Sequence, residues 1–228
     1  MKFYRINEQI EAQLKEILSN IRLSMNGVIA DSMREKGIVY KQNYGVALTD
    51  LRKLAATIAP SQELAQRLWI EGWRETYILS VFLQPIENFT ATLAIERIKS
   101  APQKEIIDVL CLYLLSKTEF ATNLCVDLVN SENENCQITG FMLASRVYSQ
   151  LSDIQIQQII KKSVLLSETE NYNIYKSVGI CLGRLCRTSQ ENASKITDIM
   201  GNFCVSKIPS QCAIADELKQ ELDFLINL

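Results

Sequence analysis

The residues able to carry chemistry in this chain are few in kind. None of its 228 residues is histidine, which removes Ser/His and Cys/His nucleophile activation and any imidazole general base. Seven cysteines, Cys111, Cys125, Cys136, Cys181, Cys186, Cys204 and Cys212, all lie beyond residue 110 and form no Cys-x-x-Cys pair. A zinc site would need a thiolate or carboxylate set that this spacing does not support. The cysteines are therefore expected to be small buried hydrophobes, and neither a metal nor another cofactor is expected. Any catalysis has to rest on carboxylates, lysine, tyrosine or backbone groups. Against this background one stretch, MNGVIADSMREKGIVYKQNYGVALTDLRKLA from Met25 to Ala55, places Tyr40, Lys41, Asn43, Tyr44 and Gly45 in a single loop between two helical patterns. Such donors and flat rings suit contact with phosphate or sugar, and glycine allows a tight turn. The same residues would equally serve as a cap over the open end of a helical array.

The elements that must position these residues read as helices. Apolar residues recur at helical spacing, as in RINEQIEAQLKEILSNIRL, where Ile6, Ile10, Leu14, Ile17, Leu18 and Ile21 form one stripe. Strand signals are nearly absent. Pro60-Ser61 caps ELAQRLW, Pro85, Pro102 and Pro209 interrupt later segments, and Ser131 to Asn135 supplies a polar turn, which gives about a dozen helices joined by short loops. Trp69 and Trp73 would share a face if their helix runs through Gly72. From residue 73 onward the pattern repeats loosely: segments beginning near residues 73, 103, 135, 171 and 211 each follow another amphipathic helix. Spacings of roughly 30 to 40 residues fit the two-helix units of HEAT-type solenoids. The expected fold is an all-α HEAT-like solenoid, an α-α superhelix with a concave groove. It comprises one domain over 1–228, with an N-terminal helical cap and loop over 1–60 and stacked helix pairs over 61–228. A compact bundle is the competing architecture.

The second helices of these units carry Arg74, Lys104, Arg146, Lys176 and Arg184, a row of one charge type in corresponding positions. The row is either a binding stripe or solvated surface. Net charge is −2, so any surface for nucleic acid must be a local stripe on an acidic body. No run of about 18 apolar residues occurs, and the opening Met-Lys-Phe-Tyr-Arg lacks the apolar core of a secretory signal. A soluble, cytoplasmic, monomeric protein without a membrane partner is expected.

The stretch Met25 to Ala55, followed by PSQELAQRLWIEGWRETYILSVFLQP, resembles the HEAT-like-repeat DNA alkylation repair family, the AlkD-like alkylpurine DNA glycosylases. The likeness lies in Tyr44-Gly45-Val46 opening a helix with Leu51-Arg52, then Leu68-Trp69 and Arg74-Glu75. The resemblance implies that duplex DNA, damaged by alkylation, lies in a basic concave groove, and that the N-glycosidic bond of N3- or N7-alkylated purines is hydrolysed. An alkylated base is already cationic, so the task is to stabilise positive charge developing on the sugar. A carboxylate does this electrostatically and aromatic faces assist. The family pattern Trp-x-x-x-Asp aligns with Lys104-Glu105-Ile106-Ile107-Asp108, which makes Asp108 the implied catalytic carboxylate and puts lysine in place of tryptophan. The family arginine falls near Thr139, with Arg146 two turns away. A further tryptophan, after Lys-x-x-Gly, falls at Ile180, while Lys176 and Gly179 match. The resemblance implies DNA contacts by Tyr40, Lys41, Tyr44, Arg74, Lys104, Arg146, Lys176 and Arg184. Read as residues alone, Asp108 could equally pair with a neighbouring cation, and Glu75 reads as an internal partner for a basic residue or a backbone N–H. A non-catalytic HEAT-repeat scaffold for a protein, or for unusual DNA structures, is the alternative function.

Overall fold

The computed structural model describes residues 7–226, with side chains through residue 221, so the expectation for Ile6 lies outside the described residues. Thirteen α-helices and three short 3-10 turns account for the regular structure of the described residues, with no strand among them. They form two compact units, divided between Thr90 and Ala91.

The first unit contains α1 (Glu8–Leu23), α2 (Gly27–Glu35), α3 (Leu48–Ala56), α4 (Gln62–Glu71) and α5 (Arg74–Phe82). Side-chain oxygens of Asn7, Asn26 and Ser61 accept hydrogen bonds from first-turn amides of α1, α2 and α4, satisfying donors that a helix start leaves open. Leu14, Ile17 and Ile21 of the predicted α1 stripe are buried. Helix α1 packs on α4, α4 on α5, and α3 on α5, so α4 and α5 belong with the N-terminal elements. The tryptophans do not share a helix. Gly72 at φ +80° ends α4 and Trp73 caps α5, because a left-handed residue stops helical hydrogen bonding at the point where glycine bears it without penalty.

The second unit contains α6 (Ala91–Ser100), α7 (Lys104–Tyr113), α8 (Ala121–Val129), α9 (Glu134–Val147), α10 (Asp153–Leu165), α11 (Tyr172–Leu185), α12 (Gln190–Cys204) and α13 (Pro209–Ile226). Segments expected to begin near 73, 103, 135, 171 and 211 are α5, α7, α9, α11 and α13. Pro209 opens α13 and does not interrupt it, since the first helical position needs no amide hydrogen and favours the fixed φ of proline. Helix α9 packs on α8, α7 and α11, and α11 packs on α13. The second helices of successive pairs therefore lie side by side in the order α7, α9, α11, α13. Helix α9 is central, and every residue from Cys136 to Ser145 is buried. Its hydroxyls turn inward on the helix: Thr139 Oγ1 donates to the Asn135 carbonyl at 2.6 Å and Ser145 Oγ to that of Met142 at 2.7 Å. This local bonding lets polar residues occupy a core position.

Five cysteines, Cys111, Cys125, Cys136, Cys181 and Cys186, are buried in this unit, while Cys204 is exposed. Burial pushes the Cys125 thiol up to about 12 and that of Cys186 to about 11. Helices α8 and α9 approach closely at Gly140, where a Cβ would sit 2.6 Å from the Val129 amide nitrogen and 3.0 Å from the Cys125 carbonyl oxygen. Gly140→Ala should force α8 and α9 apart and lower stability by about 1–3 kcal/mol. Urea denaturation followed by circular dichroism measures the loss, and an unchanged midpoint would show that the two helices yield freely.

Candidate functional site

The loop after α2 is fixed by α5. The Glu75 carboxylate, fully buried in the first turn of α5, accepts from the Tyr44 amide at 3.1 Å, the Val46 amide at 3.3 Å and Arg74 Nη1 at 3.3 Å. Arg74 Nη1 also donates to the Val46 carbonyl at 2.9 Å, and the Arg74 amide donates to that of Gln42 at 2.9 Å. A carboxylate at a helix start is favoured by the helix dipole, and here it also gathers loop amides that would otherwise be buried without partners. Gly45, at φ +68°, lies so close to α2 that a Cβ would run into the Asn26 carbonyl and the Ala30 amide; the Asn26 amide in turn donates to the Tyr44 carbonyl at 2.8 Å.

Among the residues expected to contact DNA, Arg74 is therefore placed differently. Only 5% exposed, it serves the loop and presents no guanidinium at a surface. Lys41 is exposed and its Nζ donates to the Glu71 carbonyl at 3.3 Å, at the end of α4. Tyr44 is half-buried, its ring 5.2 Å from that of Trp73, and Arg22 lies 5.3 Å over the same indole. Tyr40, also half-buried, lines a cleft of about 220 Å³ with Ile38, Lys41 and Asn43. Glu75 has the internal role that its position suggested.

The remaining candidates lie in the second unit on α7, α9 and α11. Lys104 Nζ donates to both oxygens of Asp108, at 2.8 and 2.7 Å, one turn along α7. Asp108 is half-buried and Arg146 is exposed on the last turn of α9. Beneath them Cys111 donates to the Thr139 carbonyl at 3.8 Å. Burial pushes the Cys111 thiol well up, Asp108 adds to the rise, and Arg146 and Lys104 oppose it. Lys104 and Asp108 pair within α7, and Arg146 stands on α9, the helix packed against it. Thr139, where alignment placed the family arginine, is fully buried; Arg146 is the cation α9 offers to this neighbourhood. On α11, Lys176, Ile180 and Arg184 recur at four-residue intervals and so share a face. All three are half-buried. Lys176 pairs with Glu217 of α13, and Arg184 lies 3.8 Å from Glu221.

Sequence reasoning did not find the two α13 carboxylates, nor Arg187, which pairs with Glu221 at 2.6 Å. Their partners are 34 to 41 residues away, beyond the reach of any local spacing rule. The described residues contain no group of three or more His, Cys, Asp or Glu side chains able to hold a metal ion. No helix among them is long and apolar enough to cross a membrane.

Residues 17–195 match the family model for DNA alkylation repair enzyme, and the chain belongs to that family. Its fold is that of a solved structure from a new family of proteins related to the HEAT-like repeat DNA glycosylases with affinity for branched DNA structures. The match has a TM-score of 0.76 at 14% identity and covers 90% of this chain and 94% of the other. The all-α HEAT-like repeat expected from the sequence is thus the fold observed. No curated protein matches the sequence.

Truncating Glu75 to alanine removes one partner of the buried Arg74 and takes the acceptor from two loop amides. The expected cost is about 3–5 kcal/mol. Thermal unfolding of Glu75→Ala measures it; a melting temperature equal to that of the unaltered protein would show that the clamp contributes nothing.

Proposed function

We propose that this protein binds DNA through the row of second helices in its C-terminal unit, with duplex and branched DNA as its ligands and damage by alkylation as the context. The observation that carries this reading is the α7–α9–α11 surface, where Lys104, Arg146, Lys176 and Arg184 recur on helices packed side by side. Phosphate contacts supply most of the affinity in such binding and make it fall with salt. Membership of the DNA alkylation repair family supports DNA as the partner, and the affinity for branched DNA structures in the family of the structural relative supports including branch points.

Base excision is the finer half of the proposal. The family pattern makes Asp108 the carboxylate that would stabilise a cationic sugar, but Lys104 engages both of its oxygens and offsets the negative potential it would offer. Single electrostatic contacts of this kind are worth about 3–4 kcal/mol of transition-state stabilisation, so excision is expected to be slow and recognition to be the main activity.

Arg146→Glu combined with Lys176→Glu should lower affinity for labelled duplex DNA by about tenfold or more and flatten its dependence on salt. Fluorescence anisotropy over a salt series reads both, and unchanged affinity would sink the proposed surface. For excision, release of free base from duplex DNA carrying N7-methylguanine should be lost in Asp108→Asn and raised in Lys104→Gln, where the carboxylate is freed. Equal release from both variants and the unaltered protein would remove Asp108 from the chemistry.

A second reading, a scaffold for a protein partner, is favoured by one observation. At the corner between α1 and α2 the apolar side chains of Leu23, Met25 and Val28 are 83%, 61% and 81% exposed. Large exposed apolar groups in one place mark interaction surfaces more often than chance.

A further inference from the structure

Helices α11 and α13 share an open groove of about 420 Å³ lined by Arg184, Arg187, Glu217, Gln220 and Glu221. Glu221 spans two guanidinium groups, one oxygen 2.6 Å from Arg187 Nη2 and the other 3.8 Å from Arg184 Nη2. Glu217 pairs with Lys176. Among the described residues, three cations thus face two carboxylates. Arg187 Nε is buried without a hydrogen-bond partner among the described residues, so the donors of this cluster exceed the acceptors that the described part of α13 supplies.

The acids are positioned by helix packing. Added Cβ atoms at Gly179 and Gly183 would lie 3.2 Å from Glu217 Cγ and 3.0 Å from Glu221 Cγ. The two glycines leave a notch in α11 in which the aliphatic stems of the glutamates rest. The carboxylates are thereby delivered to the cations by shape, unlike exposed surface pairs, whose long side chains are held by little else. A guanidinium fork matches two oxygens of a phosphate as well as those of a carboxylate.

We propose that the α11–α13 groove is a subsite for a backbone phosphodiester of DNA, with Arg184 and Arg187 as its anion ligands, and that Glu221 occupies it as an internal stand-in which the phosphate must displace. This rests on the DNA-binding reading above and adds to it a residue, Arg187, and a restraint. In the absence of DNA the arginines are held in place by a carboxylate. When DNA arrives they exchange one anion for another, so the gain is a difference between two similar interactions. Arg184, 3.8 Å from Glu221 and with its side chain 39% exposed, is the group that can turn to DNA first.

The test is a substitution expected to strengthen binding. Glu221→Gln keeps the stem in the Gly183 notch and removes the competing charge, leaving three cations against one carboxylate. Affinity for labelled duplex DNA should rise on the order of tenfold, and the slope of log affinity against log salt should steepen by about one phosphate contact. Adding Arg184→Gln and Arg187→Gln in the same chain should abolish the gain. Unchanged or weaker binding by a Glu221→Gln protein with native circular dichroism and melting temperature overturns the subsite. If Glu221→Gln does not fold, Arg184→Gln alone decides the matter: its ion contact among the described residues is long, so the fold should hold, and affinity should fall several-fold. An undiminished affinity there overturns the proposal. Binding by the unaltered protein that is lost on reversing Arg146 and Lys176 but indifferent to Glu221 removes only the subsite, whereas absence of DNA binding by both the unaltered protein and Glu221→Gln removes the subsite together with the DNA-binding reading.

Discussion

A pair of short amphipathic helices cannot bury its apolar face by itself, and the second unit is organised by that constraint. Each second helix must be covered by the one before and the one after it. Helix α9 shows the result most fully. With α8, α7 and α11 packed on it, almost nothing but its ends reaches solvent, so its hydroxyls bond to their own backbone and its charged residues are confined to its termini. Arg146 is on the last turn because the interior of the helix has no room for a guanidinium. The positions available for binding chemistry are therefore set by packing, and the cations of α7, α9 and α11 occupy what packing leaves over.

The repeat was legible in the sequence because each second helix announces itself by helical periodicity close to a polar or proline-bearing break. The predicted starts fall within about two residues of the helices, the usual uncertainty of a boundary. Pairings between distant residues were not legible. Arg74 stands first in its helix, and its spacing gives no sign that the Val46 carbonyl, 28 residues earlier, will bury it. Nor does any pattern near Lys176, Arg184 or Arg187 foretell Glu217 and Glu221. Lys104, Arg146, Lys176 and Arg184 stand on second helices and Arg74 is buried against the loop, but the compensation of the cations by acids belongs to tertiary structure alone.

The loop between α2 and α3 has a structural explanation that is compatible with a functional one. Gly45 and Glu75 account for its shape: one permits contact with α2 and the other gathers the amides that the turn would otherwise strand. Tyr44 supplies aromatic cover for Trp73, while Lys41 and Tyr40 remain at or near the surface. A rigid loop loses little conformational entropy when it meets a ligand, so whatever exposed groups it carries are presented at small cost.

The burial of the cysteines bears on the conditions in which a protein of this family works. A soft electrophile reacts with thiolate far faster than with thiol, and with side chains it can reach. Five of the seven cysteines are enclosed, burial holds the thiols of Cys111, Cys125, Cys181 and Cys186 in the protonated form, and no imidazole exists to be methylated. The fold thus shields five of its thiols from soft electrophiles and leaves Cys204 at the surface.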